Sequence, residues 1–215
     1  NVLAVLNYPS IMYDHDIIYY DSSIHRYTFN LEIAEDVNRA MKENELYLVY
    51  QPKFSSYSQC IDGLETLLRW NHPKYGNLSP AVFVPILEEY DRMVKVTDWI
   101  IDGVCKQIAS WKLEDISFKQ VAINIPGEYI TSPLLLGVFT EKLSEYGLEP
   151  SQIELEITEN SFVKNVEEAM RAVSKFREEG FSVALDDFGT GVSSLSYLKE
   201  MPISTLKIDK SFIDD

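Results

Sequence analysis

Six side chains in this sequence are of the types that handle divalent ions and phosphates: Glu65, Asn124, Glu156, Asp186, Asp187 and Lys207. Carboxylates and an amide are hard oxygen ligands, suited to Mg²⁺ or Mn²⁺ rather than to zinc, and the three histidines show no ligand-pair spacing. Two such ions about 3.5 to 4 Å apart activate a water and stabilise the leaving oxygen of an in-line phosphoryl displacement. Glu65, Glu156, Asp186 and Asp187 carry −4, Lys207 and Arg69 return +2, and two divalent ions add +4. The resulting +2 matches two phosphodiesters.

Each residue also has a plainer reading. Glu65 and Arg69 on one face of a strand can form nothing more than an ion pair. Asp186-Asp187-Phe188-Gly189 can be an N-cap before a helix at 193–201, Asn124 can cap the turn at Pro126-Gly127, and Lys207 can be a surface lysine at a strand end. The strands that carry these residues decide between the readings.

The segment Ile61 to Trp70 alternates, with Gly63, Glu65, Leu67 and Arg69 on one face and Leu64, Thr66, Leu68 and Trp70 on the other. Further strands are expected at Leu46 to Gln51, Gln120 to Ile125, Ile153 to Thr158, Ser182 to Asp186 and Thr205 to Ile208. In the later ones Val121, Ile123, Leu155, Ile157, Val183, Leu185, Leu206 and Ile208 share the outward register. Ala122, Asn124, Glu154, Glu156, Asp186 and Lys207 oppose them. Trp70 reads as core, and Thr158 and His72 as structural hydrogen-bond partners; Glu154 has no assigned role.

A first helix is expected over Leu31 to Glu43, another opening at Ser132 as N-cap and closing at Gly147, and a third over Val166 to Glu179. Strands alternating with helices predict a parallel sheet covered by helices. No Gly-rich phosphate turn follows the first strand, and the polar inward register points to a barrel rather than an open doubly wound sheet. Buried charges in a barrel interior cost several kcal/mol each unless paired or bound to metal, so these strands give up packing for chemistry.

Composition sets the outer bounds. A chain of 215 residues with a quarter charged and nearly half apolar can bury a sizeable core. Its net charge of −15 argues against gripping duplex DNA or anionic membrane by bulk attraction. Two cysteines, Cys60 and Cys105, are too few for a disulfide framework and are expected to be free. No apolar run approaches the ~20 residues of a membrane span, and no signal leader is visible, so a cytoplasmic setting is expected, with any membrane anchor lying elsewhere in a parent protein.

From about Leu31 onward the chain resembles an EAL domain, the cyclic di-GMP phosphodiesterase family. ETLLRWNHP at Glu65 to Pro73 stands where the family has EALLRWxHP, with Thr66 in place of Ala. Gln51-Pro52, EITE at Glu156 to Glu159, DDFGTG at Asp186 to Gly191 and LKIDKSFI at Leu206 to Ile213 also match.

The resemblance implies a TIM-type (β/α)₈ barrel whose first strand runs antiparallel to the rest. It implies that Glu65, Asn124, Glu156, Asp186 and Asp187 bind two Mg²⁺ or Mn²⁺ ions, with Glu65, Asp186, Asp187 and Lys207 as the catalytic set. Lys207 would orient the attacking water, Arg69 would contact a phosphate and Gln51 a guanine. Glu159 would steady the loop Phe188 to Tyr197, which takes part in metal binding and dimerisation. The reaction would convert cyclic di-GMP to the linear dinucleotide.

Two departures from the family pattern stand out. Pro126 occupies the position where the family has a small hydroxyl after Asn124. Only about six strands are present, so the barrel is expected to be incomplete, without the family's AEGVE-like and QGY-like stretches, and the natural protein to be longer. Residues 1–30 read as an extension or linker, with YDSSIHRY at Tyr20 to Tyr27 resembling the connector after a GGDEF domain, and 31–215 as the barrel domain. Beside the enzyme stand two other expectations: a catalytically inactive cyclic di-GMP receptor or protein-interaction module, and a dimerisation scaffold.

Overall fold

The computed structural model describes residues 22–159, 166–189 and 200–212. These fall into two compact units. One comprises residues up to Leu46 together with Trp70–Arg92; the other comprises Tyr47–Arg69 and the chain from Met93 onward.

The first unit is built on helix α1, Ser22–Lys42. It starts nine residues before the expected Leu31. Ile33, Ala34, Val37 and Ala40 are buried at helical spacing, and α1 packs on α2, Pro80–Glu89, which buries Phe83, Ile86 and Leu87. The short strand β3, Gly76–Leu78, was not expected. It pairs antiparallel with the end of β2, Ile61–His72, with Trp70 opposite Leu78 and His72 opposite Gly76.

Polar side chains tie this unit together. His72 Nδ1 accepts the Lys74 N–H at 3.1 Å, which leaves Nε2 to donate to Asp36 at 3.0 Å. Arg39 joins Asp36 to Glu45, whose carboxylate also accepts the Trp70 indole N–H. Trp70 and His72 are both buried, in the structural roles their sequence positions suggest.

The second unit carries the main sheet. Its path is β1 (Leu46–Phe54), β2, β4 (Gln120–Asn124), β5 (Ile153–Thr158), β6 (Ser182–Phe188) and β7 (Thr205–Ile208). All six expected strands are present, and from β2 to β7 the pairings are parallel. Strand β1 is the exception. Only residues 55–60 separate it from its neighbour β2, too few for a parallel crossover, and the Ser55 N–H donates to the Cys60 carbonyl at 2.9 Å as in a hairpin. The first strand is therefore antiparallel to the rest.

Among the described residues the path runs from β1 to β7 without closing. The fold is thus an incomplete TIM-type barrel. Pro52 lies in β1, at the end of the path, where a missing N–H is tolerated.

Helices cover the apolar face. One of them, α3 (Met93–Leu113), buries Val96, Ile100, Ile101, Val104, Cys105 and Ile108 along one stripe. After the short α4 (Gly127–Ile130) comes α5 (Leu135–Tyr146), which opens three residues beyond Ser132; Ser132 Oγ instead accepts the Leu134 N–H at 3.3 Å. Gly147 closes α5 in the left-handed conformation expected of a helix stop. Helix α6, Val166–Glu178, buries Ala169, Val173 and Phe176, and the Phe176 ring meets Phe181 edge-on. Cys60 is exposed and Cys105 buried, and both are free. No helix among the described residues is long and apolar enough to cross a membrane.

Candidate active site

Register places the polar residues in rows on one face of the sheet, because directly paired residues of neighbouring strands point the same way. Glu65 pairs with Ala122 and Ala122 with Glu154. Asn124 pairs with Glu156, Glu156 with Ala184 and Ala184 with Thr205. Thr158 pairs with Asp186. Ala122 and Ala184 are fully buried; side chains this small leave the room that the long charged ones fill.

The centre is Lys207. Its Nζ lies 2.6 Å from Asp186 Oδ2, 2.8 Å from Glu156 Oε2 and 3.3 Å from Glu65 Oε2. Three carboxylates from β2, β5 and β6 therefore converge on one ammonium from β7. Burial opposes the Lys207 charge, but its bonds to Asp186 and Glu156 outweigh it, and its pKa is raised well above the ordinary lysine value. At neutral pH Lys207 is a hydrogen-bond donor and not a base.

A second ammonium enters from the first strand, beyond its expected end at Gln51. Strand β1 continues to Phe54 and carries Lys53 into the same network. Lys53 Nζ bonds Glu154 Oε2 and lies 3.1 Å from Glu156 Oε1. Glu154, left without a role, is held on its other oxygen by Gln120 Nε2 at 2.7 Å and Thr205 Oγ1 at 3.0 Å. Period-two alternation from Gln51 was the signal available for Lys53.

Burial explains why both lysines are needed. The Glu156 side chain is 0% exposed and that of Glu154 1%, and unpaired buried carboxylates cost several kcal/mol each. Burial pushes the Glu156 carboxyl above its usual range against the pull of Lys207 and Lys53. The Lys53–Glu154 pair cancels in charge, so the count made from the sequence is unaltered.

Asp186 and Asp187 were expected to share a centre where the strand ended. The strand instead runs on to Phe188, and an irregularity in its pairing with β7 between Leu185 and Phe188 supplies the turn. Asp187 adopts a left-handed φ of 53°, which Asp tolerates better than most residues. Burial and the neighbouring Asp186 raise its carboxyl above the ordinary range, with Asp209 and Glu65 adding to the effect.

Glu159 is buried, and its Oε2 accepts the Gly189 N–H at 3.1 Å. That bond anchors the start of the loop whose residues 190–197 lie outside the described residues. Gly189 has a φ of 99°, and a Cβ there would meet the Phe212 ring at 2.4 Å.

The remaining candidates lie on strands of the same sheet. Asn124 is exposed at the end of β4, paired with Glu156 in the ladder. Gln51 is exposed on β1, and Arg69 donates from Nη1 to the Leu68 carbonyl at 2.9 Å. Pro126 uses its carbonyl to accept the Tyr129 N–H at 2.8 Å at the start of α4.

The donor set suits a hard divalent ion. Among the described residues no three His, Cys, Asp or Glu side chains stand together as a ready cage. Yet oxygens of Glu65, Glu156 and Asp186 all lie within 3.3 Å of one point, the Lys207 nitrogen. Carboxylates so aimed are the ligands that Mg²⁺ and Mn²⁺ prefer.

The bifunctional diguanylate cyclase/cyclic di-GMP phosphodiesterase MucR of Pseudomonas aeruginosa is 33% identical over 185 residues, covering 86% of this chain and 27% of MucR. Signaling protein YkoW of Bacillus subtilis is 39% identical over 200 residues, covering 92% of this chain and 25% of YkoW. The chain thus spans about a quarter of the length of these curated relatives. Among solved structures, the PaMucR phosphodiesterase in its c-di-GMP complex superposes with a TM-score of 0.80 at 33% identity, over 85% of this chain and 74% of that one. The FimX EAL domain of Pseudomonas aeruginosa bound to c-di-GMP, at 22% identity and a TM-score of 0.75, shares the fold. The EAL domain family itself matches over residues 34–215, and the chain belongs to that family.

Proposed function

We propose that this domain is a metal-dependent phosphodiesterase that hydrolyses cyclic di-GMP to the linear dinucleotide. The observation that carries the reading is the convergence of Glu65, Glu156 and Asp186 on Lys207. Similarity to a relative named as a cyclic di-GMP phosphodiesterase supports the choice of substrate.

In this reading Glu65, Asn124, Glu156, Asp186 and Asp187 hold two Mg²⁺ or Mn²⁺ ions. Bound there, the ions supply Lewis acidity that favours ionisation of water and offsets charge on the phosphoryl oxygens. Lys207, fixed as an ammonium, donates a hydrogen bond that orients the incoming water oxygen. As the water oxygen attacks phosphorus and the opposite P–O bond breaks, a carboxylate of the cluster takes the water's proton, and the departing ribose oxygen takes one from solvent. Arg69 binds a phosphate, Gln51 a guanine edge, and Glu159 steadies the loop that begins at Gly189.

The domain acts as one module of a longer bacterial signalling protein, with a GGDEF or sensor module upstream, in the cytoplasm and as a homodimer. One observation favours a second reading, in which the domain binds cyclic di-GMP without cutting it: Pro126 puts no hydroxyl beside Asn124.

The deciding experiment is product analysis after incubating the chain with cyclic di-GMP and Mg²⁺ or Mn²⁺, alongside Glu65→Gln. A linear dinucleotide that disappears in the variant supports the enzyme. Intact nucleotide retained by the protein without product supports the receptor.

A further inference from the structure

We propose that Lys53 is a positioning residue: it fixes the orientation of the Glu156 carboxylate, so that one oxygen is committed to the sheet and the other to the reactive centre. The inference rests on the phosphodiesterase reading for what Glu156 holds, but not for where Glu156 points.

A buried glutamate can turn about its last torsion unless both oxygens are engaged. Glu156 is engaged on both sides by different lysines, Oε1 by Lys53 at 3.1 Å and Oε2 by Lys207 at 2.8 Å. Lys53 is not itself free to move. Its nitrogen also bonds Glu154 Oε2, and Glu154 is pinned through Oε1 by Gln120 from β4 and Thr205 from β7. The order of bonds therefore runs from Gln120 and Thr205 through Glu154 and Lys53 to Glu156, and ends at Lys207.

Four strands take part, so the position of Glu156 is set by the sheet and not by its own rotamer preference. Once Glu154 and Glu156 are buried they need counter-charge, but the charged cluster as a whole is seldom more stable than well-packed apolar residues of similar volume. What Lys53 adds is direction. Partners behind a metal ligand typically change ion affinity or activity by about 10- to 100-fold when removed.

The test compares the parent chain with Lys53→Met, Lys53→Arg and the double variant Lys53→Met/Glu154→Gln. The double variant removes the charge that Lys53→Met leaves unpaired, and so keeps the test readable if the single variant fails to fold. Two readouts are taken: the Glu156 carboxylate in a crystal structure without metal, and Mn²⁺ affinity by titration calorimetry.

The expected result is a Glu156 carboxylate turned from its place or spread over several orientations in the double variant. Mn²⁺ binding falls at least about tenfold, and kcat falls while KM holds. Lys53→Arg restores much of each. A double variant with Glu156 unmoved and Mn²⁺ affinity unchanged overturns the proposal. If the parent neither binds Mn²⁺ nor opens the nucleotide, the phosphodiesterase reading fails, and the orientation of Glu156 in the crystals still decides on Lys53.

Discussion

Lys207 and Asp186 come from neighbouring parallel strands, and the Nζ of the first stands 2.6 Å from Oδ2 of the second. The contact sits beside the irregular pairing that follows Leu185, where the ladder is released and Asp187 turns into the left-handed region. Two charged groups that a regular ladder would only line up are brought together there with Glu156 and Glu65. A volume ringed by three carboxylates can hold an ammonium or a divalent ion, and this sets the first expectation.

Replacing Lys207 by Met should destabilise the metal-free protein by about 3 kcal/mol. That is the low end for breaking a buried pair, because the Lys207 side chain keeps 24% of its surface exposed. Its folded pKa is raised, so the contribution is fully present below the ordinary lysine value of 10.5 and is lost as pH rises through the folded value. Urea titrations of parent and variant should therefore differ by a constant amount through neutral pH and converge only in strong alkali. Mn²⁺ should recover part of the loss in the variant.

Arg69 is expected to act on binding more than on the chemical step. Charged hydrogen bonds of this kind contribute about 1.5 to 3 kcal/mol. Arg69→Ala should thus raise KM for cyclic di-GMP by roughly ten- to a hundredfold with a smaller change in kcat. Steady-state kinetics check the split; a loss confined to kcat would contradict the role.

In the helical unit, burial works against ionisation of Asp36, yet hydrogen bonds from Arg39 and His72 outweigh it and lower its pKa from 3.8. A depressed carboxylate contributes stability above its unfolded value and loses it as pH falls through the folded one. Asp36→Asn should cost about 1 kcal/mol at neutral pH and remove part of the parent's acid lability below pH 3.8. Urea midpoints measured from neutral pH down to about pH 2 would show it.

Gly63 is required by a close approach. A Cβ at this position would lie 2.8 Å from the Gln120 carbonyl oxygen, and Gly63 pairs with Gln120 across β2 and β4. Gly63→Ala should cost about 1 to 3 kcal/mol through displaced backbone. Because Glu65 lies two residues on, the variant should lower activity as well as the melting temperature. An unchanged melting temperature would argue against this packing.

Much of this molecule is legible in one sequence. Strand and helix alternation, the outward row of Val, Ile and Leu, and the inward row ending in Asp186 and Lys207 follow from period-two patterning. That pattern is strong because one face is buried against helices. Glu65, Glu156, Asp186 and Lys207 could be named as a set because their registers agree and their motifs resemble the EAL family. Local rules were weaker at ends: α1 begins at Ser22, β1 runs through Pro52 to Phe54, and α5 starts beyond Ser132.

Which charge meets which was decided only by the tertiary structure. Lys53 and Glu154 are 101 positions apart, and Lys207 and Glu65 are 142 apart; no local propensity relates such pairs. Their meeting depends on strand stagger, on the small Ala122 and Ala184 beside them, and on the bend after Leu185. Composition and alternation determined that charges would face inward. Three-dimensional packing decided that two lysines would divide the oxygens of Glu156 between them, because a buried carboxylate is tolerated only where counter-charge can reach it.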